Sequence, residues 1–226
     1  GADRGLARKN FPLLKKWVKY LEKFGLKPDN QLCTDDFAGH LAGNVNLSIK
    51  ALVGIESFAL ICRWLGKDEL AERYFCKAED FAEAFRASVG DTIMPLAYGQ
   101  KGTYSIKYNI LFDKLFGLKL IGQDVCERET DYYIQKNQAY GVPLDTRETY
   151  TKADWILWAA ALTDDKEKSE ALYLPVVRYL KESSTRVPFG DWYYAGRGDI
   201  VHFINRSVVG GIFALLLKES GKMQVQ

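Results

Sequence analysis

Histidine is scarce in this 226-residue chain, which has two, His40 and His202, beside four cysteines. Cys33, Cys62, Cys76 and Cys126 form no C-x-x-C pair, so a zinc site is poorly supplied. A Ser-His-Asp triad would have to use one of two histidines without an obvious partner. Cysteine spacing argues for no disulfide, and Cys62 and Cys76 fall on apolar helical faces, where a free thiol behaves as a small buried hydrophobe. The chain has no G-x-G-x-x-G, no P-loop, no H-E-x-x-H and no G-x-S-x-G. Thr149-x-x-Lys152 is the nearest relation of a Ser-x-x-Lys motif, and a match that loose arises by chance. No metal or cofactor is therefore expected. The net charge is only +2, with bases scattered singly among acids, which gives no general pull toward nucleic acid. No uninterrupted apolar run reaches about 18 residues, so no transmembrane segment is expected. No signal peptide opens the chain, but Gly1 in place of Met reads as a trimmed start, which leaves the natural location open.

What is present is a folded, helical chain. Hydrophobic residues are 47% and charged residues 27%, enough for a sizeable core. A first helix is expected over 12–24, with Phe11, Leu14, Val18 and Leu21 as its apolar stripe. From Asn46 to Gly66 apolar residues surround the helix, as in a core element. The segment 68–87 is amphipathic and follows a very short turn, so the two should form an αα-hairpin. Further helices are expected at 103–116, 124–137 and 152–162. The next is capped by Thr163 and bent or broken at Pro175; the last is Ser207 to Leu217. The long connection 183–206, with Pro188 and three glycines, suits a functional loop. The fold class is all-α, about eight helices in hairpin pairs of an α/α toroid. A six-hairpin ring needs twelve helices, so this chain is expected to be part of a larger ring. The domain reading is an N-terminal segment 1–29, a helical domain 30–220 and a tail 221–226.

Two stretches carry most of the polar chemistry: QLCTDDFAGHLAGNVNLSIKALVGI (31–55) and GVPLDTRETYTKADW (141–155). They read as two walls of one site. With no metal or nucleophile motif, the chemistry left is carboxylate chemistry, one carboxyl as acid and another as base. Asp35, Asp36 and Asp145 are the catalytic candidates. Asp35 and Asp36 equally suit the first turn of a helix capped by Thr34. His40, four residues after Asp36, makes a pair too small for a metal. Asn44 and Asn46 could bind substrate, or Asn46 could cap the core helix. Arg147 could grip a substrate carboxylate bidentately or pair with Asp145. Asp154 is a substrate-binding candidate whose plainer reading is a capping box with Thr151. Tyr150 and Trp192 are the aromatic candidates, and the set 189–194 suits either a sugar platform or core.

These two stretches, with SVVGGIFALLL (207–217), resemble the C-terminal part of the glutaminase A-like proteins of fungi and bacteria. The resemblance covers about 30–217. It implies a helical toroid at the C-terminal end of a secreted or surface protein of several domains. It also implies hydrolysis of L-glutamine to glutamate and ammonia. Cys33 and Ser207 stand where the family pattern has a small hydroxyl residue and a proline. The partners implied are a small substrate, amino acid or sugar, and upstream domains of the same natural chain. Localisation is implied to be extracellular, periplasmic or cell-surface. A toroid also suits a glycoside hydrolase with paired carboxylates, by analogy of fold alone, or a non-catalytic module packing on upstream domains.

Overall fold

The structure, a computed structural model, describes residues 4–185 and 189–222. Pro188 and most of the expected tail lie outside the described residues. The fold is all-α, with two small two-stranded sheets among the described residues. The chain forms two compact units, one of Gly1–Thr92 with Ala97–Gly99, the other of Ile93–Leu96 with Gln100–Gln226.

The first unit is built on α1 (Arg4–Phe24), α2 (Val45–Trp64) and α3 (Asp68–Val89). Within α1, Phe11, Leu14, Val18 and Leu21 turn inward, as their spacing predicts. The helix starts well before Pro12, which sits within it. The segment 1–29, read from sequence as separate, contributes α1 to this unit, and α1 packs on α2. α2 is the core element, with eleven buried residues including Ile49, Leu52, Ile55 and Phe58. By length and composition α2 would suffice to cross a membrane, which qualifies the expectation of no such segment. Burial accounts for much of its apolar character, since 61% of an 18-residue window is buried inside the protein. α3 packs along α2 as the expected hairpin, burying Ala71, Tyr74, Ala78, Phe81 and Phe85. Cys76 is exposed on α3, against expectation.

Asn44, not Asn46, caps α2: its side chain accepts a hydrogen bond from the Leu47 N–H at 3.2 Å. Asn44→Ala is expected to lower the stability of this unit by about 1 kcal/mol in urea denaturation, the usual cost of a lost cap. The Thr34 helix does not form. Asp36–Ala38 is one 3-10 turn without a side-chain cap, between strands β1 (Gln31–Leu32) and β2 (His40–Leu41). No helical face therefore joins Asp36 to His40.

The second unit contains α4 (Ile110–Phe116), α5 (Gln123–Gln135), β3 (Tyr150–Lys152), α6 (Ala153–Ala160), α7 (Lys166–Glu182), β4 (Trp192–Tyr194), a 3-10 segment Ser207–Phe213 and α8 (Ala214–Ser220). α6 is its centre and packs against α7, the 3-10 segment and α8. The helix expected from Thr103 begins only at Ile110. Residues before it run extended, with Ser105 bridged to Asp145 and the Ile106 N–H on the Leu144 carbonyl at 2.8 Å. Lys107 is wholly buried there, its ammonium donating to Met94 O, Ser105 O and Ser105 Oγ at 2.8–3.0 Å. Pro175 does not break α7. The carbonyl it deprives of a partner, that of Ala171, accepts instead from Asn137 Nδ2 at 2.9 Å. Asp165, not Thr163, caps that helix. The last helix is divided, 3-10 through Phe213 and α only beyond it.

Candidate functional site

In the first unit, Asp35 is buried and accepts from the Cys33 thiol, while Asp36 is exposed. Asn44 is spent on the helix cap, and Asn46 is buried in the first turn of α2. In the second unit, Asp145 and Arg147 pair with each other. The Arg147 backbone N–H, Nε and one terminal nitrogen all reach the Asp145 carboxylate, at 2.7, 3.0 and 2.5 Å. Of the two readings of Arg147, the pairing is the one realised. The two stretches expected to wall one site fall in different units, and each has its own setting.

Of the other three nominees, Tyr150 and Trp192 come together, and Asp154 lies two residues beyond β3 in the first turn of α6. β3 pairs antiparallel with β4, setting Tyr150 opposite Tyr194, Thr151 opposite Tyr193 and Lys152 opposite Trp192. The Tyr150 ring stands edge-on to Trp192, centroids 5.2 Å apart. β3 runs directly into α6, so Lys152 occupies the N-cap position without a side-chain cap bond. The expected capping box is thereby overturned. Thr151 is held extended by its strand partner, and its buried hydroxyl has no partner among the described residues.

Two residues that sequence reasoning left out complete the cluster. The Lys152 ammonium forms an ion pair with Asp191, both side chains being almost wholly buried. Asp191 lies between Gly190 and Trp192, and its carbonyl accepts from the Ala153 N–H at 2.8 Å. An acid set into a glycine-aromatic run was the available signal. Lys152 had appeared only as half of a chance-level motif.

Asp154 is 4% exposed, and its Oδ1 has no partner among the described residues. Burial raises the carboxyl above its ordinary value of 3.8. The charge of Lys152, the N–H groups of Asp154 and Trp155 and the charge of Arg206 act the other way and do not cancel it. A buried, unpaired oxygen costs about 1–3 kcal/mol; a carboxyl kept in such a place is a candidate proton donor. The 3-10 segment closes over it: a Cβ at Gly211 would come within 2.9 Å of Asp154 Cβ and Trp158 Nε1. Trp158 Nε1 donates to the Gly211 carbonyl at 3.0 Å, which fixes that approach. Beside the cluster, His202 and Phe203 flank the Trp192 ring at 5.6 and 5.5 Å. Of the expected aromatic platform, Tyr193 is core, fully buried and stacked on Tyr179 at 3.6 Å.

A cavity of about 560 Å³ lies elsewhere in this unit, lined by Asp113, Lys114, Gln123, Asp164 and Lys218 among others. Its acids are engaged: Asp113 accepts from the Leu120 and Ile121 N–H groups, and Asp164 pairs with Lys218 at 2.7 Å. The Asp154 cluster is therefore the better site on chemical grounds.

A family model described as the glutaminase A six helical-hairpin domain matches residues 1–216. Glutaminase A of Aspergillus oryzae is 34% identical over 223 residues, 95% of this chain and 32% of the relative. A protein of Arthroderma benhamiae named "Probable glutaminase" is 32% identical over 250 residues, 96% of this chain and 29% of the relative. The chain thus spans about a third of the length of the curated relatives it matches.

Proposed function

The chain belongs to the glutaminase A six helical-hairpin family, and on that premise we propose that it is the helical part of an amidohydrolase converting L-glutamine to L-glutamate and ammonia. The observation that carries the reading is the buried Asp154 carboxyl, pushed toward its protonated form at the N-terminus of α6. Ammonia leaves poorly unless its nitrogen is protonated, so the reaction needs a proton donor when the C–N bond breaks, a role that suits a carboxyl whose charged form is disfavoured. Water adds to the amide carbon, Asp154 gives its proton to the nitrogen as the C–N bond breaks, and the proton shed by the water returns to Asp154. The Lys152–Asp191 pair beside it fixes the junction of β3 and α6. The glutaminase names of both relatives support the substrate. In this reading the protein works outside the cytoplasm, and the rest of the natural chain is its partner.

A second reading has an observation of its own. Trp17, Tyr20 and Phe24 are 57%, 52% and 40% exposed along α1, a face suited to cover by another protein surface. On that reading the chain is a packing module, and catalysis lies elsewhere in the natural protein. Ammonia release from L-glutamine by the full-length natural protein and its Asp154→Asn variant, measured beside sugar release from glycosides, separates the possibilities, because a variant that keeps its activity would place catalysis outside this chain. The expected result is ammonia and no sugar. A full-length protein that releases no ammonia would remove the glutaminase reading, and sugar release would turn the Asp154 cluster toward glycoside hydrolysis.

A further inference from the structure

Several arginines of this chain are paired: Arg63 with Glu72, Arg147 with Asp145, Arg197 with Asp199. Arg206 is half-buried, has no ion pair among the described residues, and places its guanidinium carbon 4.6 Å from the Phe203 ring centroid. Phe203 in turn lies against Trp192, with centroids 5.5 Å apart and planes 32° apart. Trp192, Phe203 and the Arg206 guanidinium thus lie next to one another from β4 to the start of the 3-10 segment. That segment covers Asp154, whose Oδ1 is buried without a partner.

The loop that makes this arrangement is held in an uncommon conformation. His202 and Asn205 take positive φ angles, 50° and 55°, on either side of Phe203. A histidine in the left-handed region is unusual and costs about 1 kcal/mol or more. The loop has an anchor at each end of the turn: the Val201 N–H donates to the Trp192 carbonyl at 2.9 Å, and the Asn205 N–H to the Phe189 carbonyl at 3.2 Å.

Asp191 is matched by Lys152. Arg206 is a half-buried guanidinium over an aromatic ring, and its charge reaches the buried Asp154 carboxyl. A guanidinium fixed on a ring keeps its edge donors available and oriented, the arrangement that recognises a planar carboxylate bidentately. We propose that Arg206 binds the α-carboxylate of a small amino-acid substrate at the Asp154 site, with Trp192, His202 and Phe203 as the flanking surface. The identity of the substrate rests on the amidohydrolase reading; the carboxylate preference rests on the site alone. The assignment takes this task from Arg147, whose fork is on Asp145.

The test uses the full-length natural protein and calorimetric titration with two probes. L-Glutamate carries the α-carboxylate; 4-aminobutanamide is glutamine without it. Wild type is expected to bind L-glutamate. Arg206→Ala should bind it about 10–100-fold more weakly, the range of a lost charge-assisted bidentate contact. Arg206→Lys, which keeps the charge without the fork, should fall between them, and 4-aminobutanamide should bind Arg206→Ala as it binds wild type. Circular dichroism of both variants controls for folding. Arg206→Ala binding L-glutamate within about twofold of wild type, or wild type failing to bind it, would overturn the proposal. Ammonia release, followed in parallel, keeps the two readings apart. Activity with an unchanged KM in Arg206→Ala would sink the carboxylate role and leave the glutaminase reading standing. Arginine-dependent binding without ammonia release would do the reverse.

Discussion

Asp154→Asn is expected to cut ammonia release by about 100- to 10,000-fold, the range that a positioned general acid contributes. The substitution keeps shape and burial and removes only the ionisable proton. Stability at neutral pH should be unchanged or higher, because burial works against the charged form of this carboxyl. The sign with pH follows from the direction of the shift. Folded Asp154 titrates above 3.8. Below that value both folded and unfolded chains hold the proton, and the stabilising contribution is complete. As pH rises through the folded value, the native state must give up a proton that the unfolded state has already lost, and the contribution disappears. Wild type should therefore lose stability relative to Asp154→Asn as pH rises through that window, the opposite of ordinary acid denaturation. Denaturant titrations of the two proteins at a series of pH values, beside kcat at each pH, check both halves. An Asp154→Asn protein that keeps more than about a third of wild-type kcat would exclude Asp154 as the acid.

The second large effect is on folding. Lys152→Met leaves the Asp191 carboxylate buried with its cation gone, and breaking such a pair costs about 3–5 kcal/mol. For a chain of this size that corresponds to a fall in Tm of about 6–20 °C. Thermal unfolding followed by tryptophan fluorescence is a suitable measure, since Trp155 and Trp192 lie beside the pair. Adding Asp191→Asn to Lys152→Met should recover a large part of the loss, because the stranded charge is removed with its partner. A single variant within about 1 kcal/mol of wild type would show that Asp191 finds another partner or takes up a proton. The same pair joins β3 to the segment before β4, so its loss is also expected to loosen the approach to Asp154.

The helices of the first unit were legible because their cause is local. The spacing of Phe11, Leu14, Val18 and Leu21 requires a buried stripe whatever the rest of the chain does. The apolar residues around Leu52 and Ile55 mark a core helix in the same way. Family membership was legible too, since the motifs at 31–55, 141–155 and 207–217 are long. Local grammar failed where a distant partner competed. Thr151 and Asp154 have the spacing of a capping box, but strand 192–194, some forty residues on, holds Thr151 extended. Pro175 should have broken its helix, but Asn137 takes up the carbonyl it orphans.

The helical class, the α2–α3 hairpin and the family could be read along the chain. Each follows from periodicity or from motif, which neighbouring residues carry. The site could not, because contacts between distant residues make it. The tertiary structure joined Lys152 to Asp191 across 39 positions, moved Arg147 onto Asp145 and left Arg206 without an ionic partner among the described residues. The reason is that a carboxylate's chemistry depends on which charges and how much water surround it, and those are set by residues far away in the chain.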